Sequence, residues 1–152
     1  MRNDEFFMRQ AIKQAQKAYE LLEVPVGCVL VKDNKIIASA YNKREHKQSS
    51  LAHAEMLAIA KASKKLHNWV LEDVTMYVTL EPCLMCTGAI FQSRLKRVVY
   101  GAKEPKFGVL GSLMDLSQET RFNHRIEVSS GLFQDEISQM MKDFFKQLRS
   151  TT

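Results

Sequence analysis

No apolar run in this sequence is long enough to cross a bilayer. The longest, about Val24–Val31, falls far short of the roughly 20 residues that a spanning helix needs. The segment Met1–Gln10 mixes both signs of charge and holds no long apolar region, so it does not read as a secretory signal. Cysteine is scarce and odd in number, three in all, which argues against a disulfide framework and suits a reducing cytosol. No repeat, low-complexity tract or Gly/Pro/Ser-rich linker divides the chain. What remains is a chain of 152 residues, 45% hydrophobic and 26% charged, a composition that excludes disordered and fibrous classes. The expectation is one cytoplasmic domain over residues 1–152, with enough chain to bury a core. A net charge of +5 permits a nucleic-acid partner without demanding one.

Hydrophobic periodicity gives the coarse architecture. A helix is expected from about Asp4, read as its N-cap, to Leu22, with Met8, Ala11, Ile12, Ala15, Tyr19 and Leu22 on one face. Val26–Lys32 and Lys35–Tyr41 read as two strands joined at Asp33-Asn34, a hairpin signal. Ala54–Leu66 reads as a helix, Thr75–Leu80 as a strand, Met85–Arg94 as a helix and Arg97–Gly101 as a strand. That order favours a parallel, right-handed crossover. Residues 103–124 read as irregular with one short helix near Leu113–Gln118, Ile126–Val128 as a fifth strand, and about Gln134–Arg149 as a last helix. The fold class expected is α/β, a three-layer α/β/α sandwich on a mixed five-stranded sheet.

Two short segments carry the chemistry: His53-Ala54-Glu55 and Pro82-Cys83-Leu84-Met85-Cys86. Residues three apart in the first turn of a helix have Cβ atoms roughly 5–6 Å apart, so Cys83 and Cys86 can close on one tetrahedral zinc ion. Pro82 suits a helix edge, and a helix N-terminus stabilises thiolates. A neutral His53 imidazole would supply a third ligand and leave one position open for water, the arrangement of a catalytic site. Cys28 sits in an apolar strand, and His46, His67 and His124 lack ligand-like spacing to the pair. On a regular helix His53 and Glu55 would point about 200° apart, so both face one site only if the motif straddles a helix start. A carboxylate there can take a proton from water and return it to a leaving nitrogen, which describes hydrolytic deamination. The joint pattern H-x-E…P-C-x-x-C is the signature of zinc nucleobase deaminases.

Beyond that signature the chain resembles the bacterial tRNA-specific adenosine deaminases, within the cytidine-deaminase-like superfamily. The likeness runs through Glu23-Val24-Pro25-Val26-Gly27, Ala52-His53-Ala54-Glu55, Tyr77-Val78-Thr79-Leu80-Glu81-Pro82-Cys83 and Met85-Cys86. It continues through Val98-Val99-Tyr100-Gly101-Ala102, Gly111-Ser112-Leu113-Met114-Asp115 and Asn123-His124-Arg125. The resemblance implies a cytidine-deaminase-like fold, conversion of adenosine to inosine at the wobble position of a tRNA anticodon, and a homodimer with one zinc per subunit. It makes His53, Cys83 and Cys86 the zinc ligands and Glu55 the proton shuttle. It matches Asn42 to a residue that hydrogen-bonds the flipped base. Phe145 and Arg149 fall on a C-terminal helix lining the anticodon-loop groove, and Lys106, in the loop after Gly101-Ala102, is expected to contact RNA phosphate with Lys146 and Arg149. That loop departs from the family: Glu104 stands for an aspartate and Phe107 for a small residue.

Plainer roles stand beside these. Cys28 is expected to be inert core, Trp69 to pack, Met56 and Met85 to fill core gaps. The stripe Lys142, Lys146 and Arg149 reads as a solvated face that only the resemblance turns toward phosphate. Two other functions compete: a zinc deaminase of free nucleosides or bases such as cytidine or guanine, and a non-catalytic zinc-stabilised RNA-binding module. The second has no need of Glu55 and would prefer a fourth ligand.

Overall fold

In the computed structural model, which describes residues 1–151, five strands form one mixed sheet in the order β2-β1-β3-β4-β5. Strands β1 (Gly27–Lys32) and β2 (Lys35–Tyr41) are antiparallel, and β1 pairs antiparallel with β3 (Thr75–Leu80). β3, β4 (Arg97–Ala102) and β5 (Glu127–Ser130) run parallel. The β1–β2 turn needs positive φ at both central residues, and Asp33 and Asn34 supply it at 52° and 60°.

Alternate strand residues face opposite layers. Cys28, Leu30, Met76, Val78, Val98 and Tyr100 pack with Ala54, Ala58 and Ala62 of α3 (Ala54–Leu66) and Ile90 of α4 (Leu84–Gln92). Their neighbours Val29, Val31, Tyr77 and Val99 pack with Phe7, Met8, Ala11 and Ile12 of α1 (Asp4–Glu20) and Ile137 of α5 (Gln134–Ser150). The sheet therefore lies between two helical layers, as expected. Among the described residues no helix is long and apolar enough to cross a membrane.

Several expectations are corrected. Asn3, not Asp4, caps α1, its side chain accepting from the Phe6 amide at 2.9 Å. Asp4 instead accepts from both Arg97 nitrogens, at 3.0 and 2.8 Å, and from the Tyr77 hydroxyl at 2.6 Å, tying the helix start to β3 and β4. Arg97 and Tyr77 together outweigh the burial that would raise this carboxyl and hold it below its ordinary value. Helix α1 ends at Glu20, and Leu22, with positive φ, is exposed rather than on the buried face. Helix α4 starts at Leu84 and stops at Gln92, and the helical turn of the long loop is reduced to a 3-10 turn at Leu116–Gln118. A one-turn helix, α2 (Arg44–Lys47), is additional. Trp69 is 63% exposed and is not a packing residue; Met56 and Met85 are only half-buried.

Helix α1 lies so close to β1 that a Cβ on Gly27 would fall 2.0 Å from the Ala11 carbonyl oxygen and 2.4 Å from the Ala15 nitrogen. Backbone cannot swing aside as a side chain does. Gly27→Ala should therefore cost about 3 kcal/mol or more, seen as a lower urea midpoint at unchanged slope. An unaltered midpoint would mean that the α1–β1 spacing is looser than described.

Candidate metal centre and its cavity

His53 is the N-cap residue of α3, with extended backbone at φ −75° and ψ 151°. The motif thus straddles the helix start, which is the condition under which His53 and Glu55 can share one site. Cys83 stands in the same position on α4, extended at φ −78° and ψ 178°, and Cys86 lies within the first turn. Two helix N-termini converge, and their partial positive charges favour anionic ligands. His53 Nδ1 is 3.7 Å from Cys83 Sγ and 3.5 Å from Cys86 Sγ, and the three donor atoms all lie within 4.8 Å of one another. Two sulfurs and one imidazole nitrogen at these separations can surround a single ion of borderline softness.

The protons in this cluster are displaced accordingly. The Cys86 thiol and the His53 imidazole bring Cys83 down to about 4, against the opposing effect of burial. Its hydrogen bond to Cys83, then burial, pushes Cys86 up. His53 is raised by its bond to Cys83. Glu55, 4% exposed, is pushed up to about 7, chiefly by burial, so that near neutral pH its carboxyl can both take and give a proton. Cys28 is wholly buried in the core and desolvation holds it far above the thiol range, in keeping with an inert role.

His53, Glu55 and Cys83 sit in the wall of a cavity of about 420 Å³, within the size range of small-molecule sites, with Cys86 buried behind them. Asn42, His53, Glu55, Cys83 and Phe145 line it together. Asn42 is buried, donating from Nδ2 to the Val24 carbonyl at 3.2 Å and accepting from the Arg44 amide at 3.2 Å, which leaves its second N–H for another acceptor. Lys106 and Arg149 are exposed and do not line the cavity. The stripe Lys142, Lys146 and Arg149 is exposed along α5.

Other lining residues escaped sequence reasoning: Val24, Val26, Arg44, Leu80, Glu81 and Met141. Glu104 and Phe107, noted only as departures in the loop, both stand in the cavity wall, Phe107 with 65% of its surface exposed. Two buried carboxylates hold the surrounding loops. Glu23 accepts from the amides of Glu45 and His46 at 3.1 and 2.7 Å and contacts His46 Nδ1 at 2.7 Å, fixing α2. Glu81 does the same for the loop after β4. The only sequence signal for either acid was its place in a run shared with the family.

A family model for MafB19-like deaminases matches residues 2–149. The tRNA-specific adenosine deaminase of Bacillus subtilis is 54% identical over 149 residues, covering 98% of this chain and 92% of that protein. This chain belongs to the family of tRNA-specific adenosine deaminases. A solved structure from work on A-to-I editing by tRNA:A34 deaminases at the wobble position of transfer RNA superposes with a TM-score of 0.85 at 38% identity. That match covers 89% of this chain and 98% of the other. The guanine deaminase of Nitrosomonas europaea shares the fold alone, with a TM-score of 0.79 at 20% identity over 95% of this chain and 85% of the other. The fold is thus shared with a guanine deaminase.

If His53, Cys83 and Cys86 form the metal centre, Cys83→Ala should reduce bound zinc from about one per chain to a small fraction, and lower folding stability with it. Cys28→Ala should retain the metal. Metal analysis of both variants checks this, and full occupancy in Cys83→Ala would mean that other residues hold the ion.

Proposed function

We propose that this protein hydrolytically deaminates adenosine to inosine at the wobble position of a tRNA anticodon, with one zinc ion per subunit held by His53, Cys83 and Cys86. The observation that carries the reading is the placing of a buried carboxyl, Glu55, beside a two-sulfur, one-nitrogen donor set, with Glu55, His53 and Cys83 in the wall of a nucleoside-sized cavity. The relatives narrow the substrate: the Bacillus subtilis protein is a tRNA-specific adenosine deaminase. Zinc in that donor set supplies the Lewis acidity that makes water a nucleophile near neutral pH.

Glu55 takes the proton from the attacking water and gives it to the amino nitrogen. As the new C–O bond forms and the C–N bond breaks, adenosine and water become inosine and ammonia. Asn42 offers its remaining N–H to the base, and Phe145 and Phe107 give the base and its neighbours apolar faces. Lys106 and Arg149, outside the cavity, contact phosphates of the anticodon loop. A loop base is extruded at modest cost because it is unpaired. The working form is a cytoplasmic homodimer. Its support is that Leu51 and Leu84, next to the ligand segments in sequence, are exposed apolar side chains that a second copy could cover.

Incubation with an anticodon stem-loop and, separately, with free nucleosides tests the reading. Inosine should form in the stem-loop, and rapid turnover of a free nucleoside with none in RNA would favour the small-molecule reading. Glu55→Ala should keep the metal and slow deamination by about 10⁴-fold or more, since one group serves two proton transfers. Near-normal turnover there would remove the shuttle role. Arg149→Ala should flatten the dependence of log affinity on log salt by about 0.7, one single-strand phosphate contact, with metal content intact. An unchanged slope would return Arg149 to the solvated face.

A further inference from the structure

Glu81 is 2% exposed, and a buried carboxylate is costly unless its oxygens are occupied by donors. Its oxygens are fully occupied. They accept from the backbone amides of Glu104 at 3.1 Å, Leu110 at 2.9 Å and Ser112 at 3.0 Å, and from the Ser112 hydroxyl in a short hydrogen bond. Every donor comes from one loop. Gly108 of that loop comes so close that a Cβ there would lie 2.3–2.5 Å from the Glu81 carboxyl atoms. The same loop is fastened to the ligand turn directly: the Val109 amide donates to the Pro82 carbonyl at 3.2 Å, and Cys83 pairs with Gly108 as a β-bridge. Glu104 and Phe107, in the cavity wall, ride on this loop.

The geometry points to Glu81 as a positioning residue for substrate. Its carboxylate registers the 104–112 loop against the turn that carries Cys83, so that Glu104 and Phe107 meet the nucleoside at a fixed place relative to the metal ligands. The inference rests on the functional reading above. With four donors on its two oxygens, Glu81 has no acceptor site left to serve water or base, so it acts on binding and leaves the proton transfers to Glu55.

Glu81→Gln tests this, because a carboxamide replaces one acceptor oxygen by a donor facing N–H groups. The KM for the anticodon stem-loop should rise about tenfold or more while kcat stays within about threefold and zinc content is unchanged. Ser112→Ala, which removes only the hydroxyl donor, should move KM the same way by about threefold and add little in the Glu81→Gln background. If Glu81→Gln does not fold, Ser112→Ala and Gly108→Ala carry the test. Hydrogen exchange should show the amides of residues 104, 110 and 112 losing protection in each folded variant. An unchanged KM in a folded variant would overturn the assignment, as would a fall in kcat at constant KM or loss of zinc together with activity. If the unaltered chain makes no inosine in the stem-loop, it is the functional reading that fails. The KM-against-kcat comparison is then made on whichever free nucleoside is turned over, with the same outcomes deciding for or against Glu81.

Discussion

Everything at the site depends on two helices beginning at one point. Cys83 and His53 are extended N-cap residues, and each turns its side chain out of the helix it opens, toward the other. Had either lain a turn inside its helix, the spacing of 3.6 residues per turn would have sent it or its neighbour elsewhere. His53 and Glu55 could then not meet the same ligand. Holding Cys83 deprotonated falls first to its hydrogen bond from Cys86 and then to His53 and the Cys86 amide of the opening turn.

The sheet sets that meeting point. β3 delivers its chain at Leu80, and Glu81-Pro82-Cys83 then leads into α4, whose return through β4 makes the parallel crossover. Helix α3 packs on the same layer through its own Ala54, Ala58 and Ala62, small enough to let it lie close to the sheet. Helix α5 contributes Met141 and Phe145 to the cavity wall, and loops form much of the rest; loops bury backbone groups that need partners. Two buried acids meet that need: Glu23 organises the 44–47 turn, and Glu81 organises the loop after β4.

How far the sequence was legible follows from this division. The sheet, the hairpin turn and helices such as Ala54–Leu66 could be read because apolar periodicity is a local signal. Cys83 and Cys86 could be read because their spacing is local, whereas His53, thirty residues before Cys83, was read only from the joint pattern of the two segments. The loops could not: Arg44–Lys47 is one turn long with no apolar face, and residues 103–116 take their shape from a carboxylate more than twenty positions earlier. Asn3 displaced Asp4 as the cap because Arg97, ninety-three residues on, claims the Asp4 carboxylate. Asn42 and Phe145 were named only through family likeness, and the fold brings both to the cavity. Lys106 and Arg149, named the same way, stay outside it. Trp69 shows the reverse error: a large aromatic suggests core, yet it stands in solvent.

Three protein ligands on one zinc ion leave room for a fourth partner, and X-ray absorption at the zinc edge of the purified protein distinguishes such an open site from a closed one. Two sulfur scatterers at about 2.3 Å, one imidazole nitrogen at about 2.0 Å and one further light scatterer that a small anion can replace are expected. A closed shell of four protein ligands, or a protein that binds no zinc at all, would rule the open site out.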